Sequence, residues 1–303
     1  MSKALPSSTG TGPWRNTTVT GLLYAFGAFF TWGLSPIYFK ALVDVPATEI
    51  MAHRVVWSAL LMIVVVLALR SRHAVAAAFA TRRQLGFYAV TTLLVSTNWL
   101  LFIWAVNTGH MVQVSLGYYI NPLVNVVLGV LFLHERLEGR QKLAVALAVL
   151  GVASLVAAAG TLPWISLTLA LSFGFYALMR KKAGIDPLIG LLAETLMITP
   201  LAIGYLVWAD LSGWGSFGSA GLGLDALLAA AGAVTAVPLI LFMYGAQRLK
   251  LSTIGLMQYL APTIQLLLGV ALYGEAFTTA HALAFGFIWT GLAVYSSQAF
   301  RSR

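Results

Sequence analysis

Apolar residues in this chain come in blocks of about 20, the length at which a helix rising about 1.5 Å per residue crosses a hydrocarbon core of about 30 Å. Read between charged residues and Gly, Pro or Asn punctuation, the blocks predict ten helices: Thr18 to Tyr38, Ala47 to Leu69, Gln84 to Val106, Val112 to Leu133, Lys142 to Ala158, Pro163 to Met179, Leu188 to Trp208, Asp225 to Gly245, Ser252 to Leu272 and Thr279 to Phe300. The connections are short. Of the 303 residues 60% are apolar and 9% charged, against roughly 45–50% and about 25% in soluble domains, which excludes a water-soluble globular fold. Barrel strands would alternate apolar and polar residues in stretches of about ten, and no such alternation occurs. With no cysteine there is no disulfide framework, thiolate metal site or Cys nucleophile.

The charges test the span count. Lys3, Arg15, Arg70, Arg72, Arg82, Arg83, Arg136, Arg140, Lys142, Arg180, Lys181, Lys182, Arg248, Lys250, Arg301 and Arg303 all fall on one side of a ten-span path. Of the 18 cations only Lys40, in an opposite loop, and Arg54, inside the second span, are exceptions. Cytoplasmic loops collect Lys and Arg, so both termini are expected in the cytoplasm of a multi-pass bacterial inner-membrane protein. The net charge of +9 thus belongs to topology and calls for no nucleic-acid partner. Residues 1–17 are polar and lack the short apolar region and small-residue cleavage site of a removable signal peptide. They read as a disordered cytoplasmic tail before a signal-anchor helix.

Sliding the chain on itself by 140 residues superposes the fourth and fifth spans on the ninth and tenth. Leu116 meets Leu256, Tyr119 Tyr259, Pro122 Pro262, Gly129 Gly269, Glu135 Glu275, Ala144 Ala284 and Gly151 Gly291. Apolar bias alone would not align two prolines, two glutamates and two glycine pairs in one register. A shift of 141 gives a weaker echo, Gly33 on Gly174 and Lys40 on Lys181. The expected organisation is a five-helix repeat over residues 18–158 and a second over 159–303. Five is odd, so the second copy enters the membrane from the opposite side. Inverted repeats of this kind build many secondary transporters, with the substrate site near mid-membrane where the halves meet.

The stretches Thr48 to Ser58 (TEIMAHRVVWS) and Asn98 to Asn125 (NWLLFIWAVNTGHMVQVSLGYYINPLVN) closely resemble the RarD branch of the EamA-type drug/metabolite transporter superfamily, a likeness running from Gly21 to about Ser297. The resemblance implies an all-α, basket-like membrane fold of ten helices around a central cavity. Its relatives export amino acids, other small metabolites or drugs, and the branch name is tied to chloramphenicol sensitivity. The family's Gly-Glu-Arg after the fourth helix stands here as His134-Glu135-Arg136, and the second copy reads Gly274-Glu275-Ala276.

Pro122 and Pro262 are the most informative pair, because a helix interrupted at matching places in the two halves points to a transporter's binding region. Each removes one backbone donor, which frees the carbonyls of Tyr118 and Gln258. Around them Asn121, Asn125, Gln258 and Gln265 bring amides, and Tyr118, Tyr119 and Tyr259 bring hydroxyls, to mid-span. Such amides either line a cavity or bond helix to helix. Asn98, Trp99 and Trp104 on the third helix and Trp32 and Tyr38 on the first offer the aromatic walls of a small-molecule pocket. Aromatics near span ends are otherwise interface anchors, the reading for Trp14, Trp164, Trp208 and Trp214. His53, Arg54 and Glu194 are intramembrane charges, which pair with one another or mark a pathway. Arg54 suits a substrate carboxylate, His53 and Glu194 suit proton coupling, and a structural ion pair with help from Glu49 suits all three.

No Walker-type loop occurs, so transport is expected to follow a gradient. With Glu194 alone among the acids clearly inside a span, facilitated diffusion or potential-driven export leads over proton antiport. An intramembrane enzyme would need a nucleophile with a base or paired acids, and neither Gly-x-Ser-x-Gly nor His-Glu-x-x-His is present. A sensor built on the same fold is the third class. The substrate expected is a small metabolite, amino acids first, with chloramphenicol-like drugs as the alternative. No cofactor and no metal are expected, the lipid bilayer is the other partner, and the sequence leaves the oligomeric state open, a monomer included.

Overall fold

The computed structural model describes residues 17–70, 76, 79–107, 111–159, 164–219, 221–273 and 279–299. The predicted tail, apart from Thr17, and the Gly274-Glu275-Ala276 copy lie outside the described residues. The helices are α1 (Thr17–Lys40), α2 (Ala47–Leu69), α3 (Arg82–Asn107), α4 (Met111–Leu133), α5 (Gly139–Ala159), α6 (Trp164–Ala183), α7 (Pro187–Leu211), α8 (Leu222–Arg248), α9 (Leu251–Met257), α10 (Leu260–Tyr273) and α11 (Thr279–Ala299). No strand occurs among the described residues. Helices are what lipid demands, since every backbone N–H and C=O must be satisfied within the segment. Eight of the predicted spans are long and apolar enough to cross a membrane, α9 and α10 counting as one. α6, with Arg180, Lys181 and Lys182 in its last turn, and α11, whose apolar stretch is Ala282–Val294, complete the ten rods.

Local chemistry starts the helices where they start. Thr81 and Gln84 bond reciprocally across the first turn of α3, with Gln84 N to Thr81 Oγ1 at 3.2 Å and Thr81 N to Gln84 Oε1 at 3.1 Å, a capping box. Asp186 caps α7 by accepting from Leu188 N and Ile189 N, and Pro187 takes the first helical position, where its missing N–H costs nothing.

The ninth predicted span, Ser252 to Leu272, is corrected to two helices that part at Gln258 and Tyr259. Pro262 has no N–H to give Gln258, so Ala261 N takes that carbonyl at 3.3 Å, one residue early. The freed acceptor expected at Gln258 is therefore occupied. Pro122, its counterpart, lies inside the unbroken α4.

α1 packs on α8 and α10, α2 on α7 and α8, α3 on α6 and α7, α4 on α6 and α9, and α5 on α11. Exchange α1 with α6, α2 with α7, α3 with α8, α4 with α9 and α10, and α5 with α11, and these pairings are reproduced: α1 on α8 becomes α6 on α3, and α2 on α8 becomes α7 on α3. The correspondence reaches single residues. A Cβ on Gly151 would stand 2.8 Å from the carbonyl of Ala284, and one on Gly291 2.9 Å from that of Ala144. Likewise Gly33 faces Ile264 and Gly174 faces Val124, each at under 3 Å for the missing Cβ. These are the residues that the two sequence shifts equate. The protein is an all-α membrane fold of two inverted five-helix repeats.

The main apolar core lies where α1, α6 and α8 meet. Trp32 there touches Phe29, Phe173 and Phe242 with ring centroids 5.6 to 5.8 Å apart.

Candidate functional site

Arg54 stands seven residues into α2, about 10 Å along its axis. Its Nε donates to Thr235 Oγ1 of α8 at 2.9 Å, and its guanidinium carbon lies 4.9 Å from the Trp99 ring centroid on α3 and 5.5 Å from that of Phe39 on α1. Three helices thus surround it, and Tyr38 and Tyr118 lie within electrostatic reach. Arg54, Phe39, Trp99, Tyr38 and Tyr118 nonetheless all keep partial exposure. Held between α1, α3 and α8 and still partly accessible, Arg54 marks a candidate recess between these helices. No carboxylate pairs with Arg54 among the described residues. Tyr38 donates to Leu227 O of α8 at 2.9 Å, and Tyr118 meets Phe102 edge-on at 5.8 Å.

Beside Trp99, Asn98 donates to Leu169 O at 2.8 Å and Ser172 Oγ at 3.0 Å, fastening α3 to α6. The other amides form a second constellation. Asn125 Nδ2 donates to Gln258 Oε1 at 2.7 Å and to Asn121 Oδ1 at 3.3 Å, joining α4 to the α9–α10 break. All three side chains are buried, and Asn125 Oδ1 is left without a donor. Gln265 instead donates to Trp32 O at 3.1 Å, tying α10 to α1. Tyr259 donates to Tyr119 O at 3.1 Å in a separate apolar cluster with Phe285. Trp104 is 43% exposed and packs at 6.0 Å against Trp164.

His53 and Glu194 are not brought together. His53 faces the end where α7 leads into α8, its ring tilted 32° against that of Phe217 at 5.1 Å and lying 3.9 Å from Glu49. Glu49 accepts from Ser216 N at 2.6 Å and Ser216 Oγ at 2.9 Å, so it pins that loop. Glu194 lies toward the basic face, accepting from Tyr176 Oη at 3.0 Å with Arg180 Nε 3.7 Å away. The repeat explains the separation: inversion sends equivalent positions of α2 and α7 to opposite ends. Arg180, Tyr176 and Thr235 are residues that sequence reasoning missed. Arg180 sits in a run of three cations that reads as loop charge, and a mid-helix Thr or Tyr carries no distinguishing signal.

The basic face is knitted by a polar network. Glu135 accepts from Leu251 N, Ser252 N and Ser252 Oγ, capping the first turn of α9. Lys181 donates to Ala246 O and Leu249 O at the end of α8. Arg70 binds Asp186 Oδ2 at 2.8 Å and Tyr244 Oη at 3.1 Å, and the Asp186 carboxylate holds its guanidinium pKa above the usual value.

Residues 19–157 match the EamA-like transporter family. An uncharacterized transporter of Vibrio cholerae is 48% identical over 91% of this chain and 91% of its own. Protein RarD of Escherichia coli is 45% identical over 92% of this chain and 94% of its own. The chloramphenicol-sensitive protein RarD of Pseudomonas aeruginosa is 31% identical over 89% and 91%. A crystal structure at 19% identity superposes with a TM-score of 0.72, covering 91% of this chain and 97% of the other, which is a likeness of fold.

Proposed function

Because this chain belongs to the EamA-like transporter family, in its RarD branch, we propose that it exports small metabolites, amino acids first, by alternating access of two repeats around the Arg54 recess. We take residues 18–158 and 159–303 as the repeats. The charge pattern supports an inner-membrane protein with both termini in the cytoplasm. The observation that carries the reading is Arg54 itself: an accessible guanidinium among aromatic faces from α1 and α3, bonded to α8 of the other half. Asn98 and Trp99 belong to the same lining, whereas the Asn121–Asn125–Gln258 chain joins α4 to the break between α9 and α10.

The driving force is the substrate's own gradient or the membrane potential. In support, the Glu194 carboxylate is engaged by Tyr176 and paired with Arg180. The aromatic walls favour a second reading, efflux of amphenicol-type drugs. Liposomes carrying the purified chain test both: release of preloaded amino acids, and not of chloramphenicol, supports the first. Efflux that collapses when only the pH gradient is abolished overturns the uncoupled mechanism.

A further inference from the structure

The eight acids among the described residues, followed one by one, leave the recess without a negative charge. Glu49 is spent on Ser216, Glu135 on the start of α9, Asp186 on Arg70, Glu194 on Arg180 and Tyr176, and Asp225 on Gly218 N at 2.8 Å. Asp44 and Asp210 are exposed in connections or at a helix end, and Glu138 is exposed after α4. Arg54 therefore holds a cation inside the bundle with a neutral hydroxyl and two aromatic faces as its partners among the described residues. Its two terminal nitrogens bond nothing among the described residues, and unlike Arg180 Nη1 neither is sealed from solvent. They form the edge of the guanidinium that receives a carboxylate as two parallel hydrogen bonds. An accessible guanidinium edge with no protein acceptor is open to a ligand that brings the opposite charge.

Resting on the transport reading above, we propose that Arg54 is the carboxylate anchor of the recess and that the site selects small monoanions with an apolar or aromatic body. Nε is held by Thr235, which leaves the edge formed by the two terminal nitrogens for a ligand. Trp99 and Phe39 hold the group from its faces, and with Tyr118 they offer apolar wall to the rest of the ligand. A substrate ammonium finds no carboxylate here among the described residues. Amino acids are then bound by their acid end, and the amino group adds nothing to affinity.

The test compares matched probes on the purified full-length protein at neutral pH, by isothermal titration: 3-phenylpropionate, its methyl ester and L-phenylalanine. Expected is binding of 3-phenylpropionate about 10- to 100-fold tighter than its ester, the range for one hydrogen-bonded charged group, with phenylalanine no tighter than 3-phenylpropionate. Arg54→Gln removes the discrimination between acid and ester, and Arg54→Lys keeps part of it. Equal affinity of the wild-type protein for acid and ester, or no binding of either, overturns the anchor without any variant having to fold. Discrimination that survives in Arg54→Gln overturns it as well, and tighter binding of phenylalanine than of 3-phenylpropionate overturns the monoanion selectivity. Flux of the same probes in liposomes separates the two ideas. Binding with discrimination but no protein-dependent flux of the acid fails the transport reading and leaves the anchor standing, whereas protein-dependent flux of the acid that is unchanged in Arg54→Gln fails the anchor and leaves transport standing.

Discussion

Gly190 lies under the guanidinium of Arg180, which fills the space a Cβ would take. A side chain there expels Arg180 and strands Glu194 in the interior with the hydroxyls of Tyr176 and Thr91 as its remaining donors. Breaking a buried pair in this way costs about 3–5 kcal/mol, more than the pair itself contributes, because the uncompensated charge stays behind. Gly190→Ala is accordingly expected to lower the melting temperature in detergent sharply. Arg180→Met with Glu194→Gln together is expected to melt above Arg180→Met alone, and the reverse order would show that the two groups are not coupled. Glu194 is legible in the sequence as a charge in an apolar block. Arg180 is not, since its neighbours Lys181 and Lys182 present it as one more loop cation. What separates them is direction: Arg180 is 2% exposed and turned inward, and a side chain's direction near a helix end is set by the neighbour it meets.

Among the elements, the start of α9 depends on a residue from another connection. Three donors of Leu251 and Ser252 converge on Glu135, which satisfies orphan N–H groups and places negative charge at the positive end of the helix. Glu135→Ala should cost about 1–2 kcal/mol in thermal or denaturant unfolding, with Glu135→Gln between it and the wild type. A Glu135→Ala protein as stable as the wild type would remove the cap from the account. The repeat register announced Glu135 as special without saying why. Its role needs α4 and α9 side by side, and that is tertiary information. The broken ninth span teaches the same lesson from the other direction. Pro122 and Pro262 are identical in sequence and aligned in the repeat, yet one sits in a continuous helix and the other beside a break. Proline deletes a donor wherever it stands, but whether the chain reseals depends on what packs beside it: at Pro122 Gly255 lies against the proline carbonyl, 2.5 Å from where its Cβ would be.

For the molecule as a whole, the pseudo-two-fold relation makes a prediction that no single helix could. Gly151 and Gly291 occupy equivalent sides of one α5–α11 interface. Each, changed to Ala, forces the helices apart and should cost about 1–3 kcal/mol as overpacking. The two costs are expected to be similar, and the double variant to cost less than their sum, because the first substitution opens the space the second needs. Strict additivity in thermal unfolding would mean that the contact is not shared. Reporter fusions test the topology directly, and termini on opposite faces of the membrane would refute the inverted pair. The apolar blocks, the one-sided cations and the 140-residue register settle by themselves that this chain is helical, lives in lipid and is built twice, because length, charge and self-similarity are properties of the chain read in order. Which polar groups meet was decided only in three dimensions: Arg54 and Thr235 are 181 residues apart, and His53 and Glu194, aligned in the repeat, ended at opposite faces. Helical period says which residues share a side of one helix, but a site made between helices depends on which sides are pressed together, and that follows from packing of the whole.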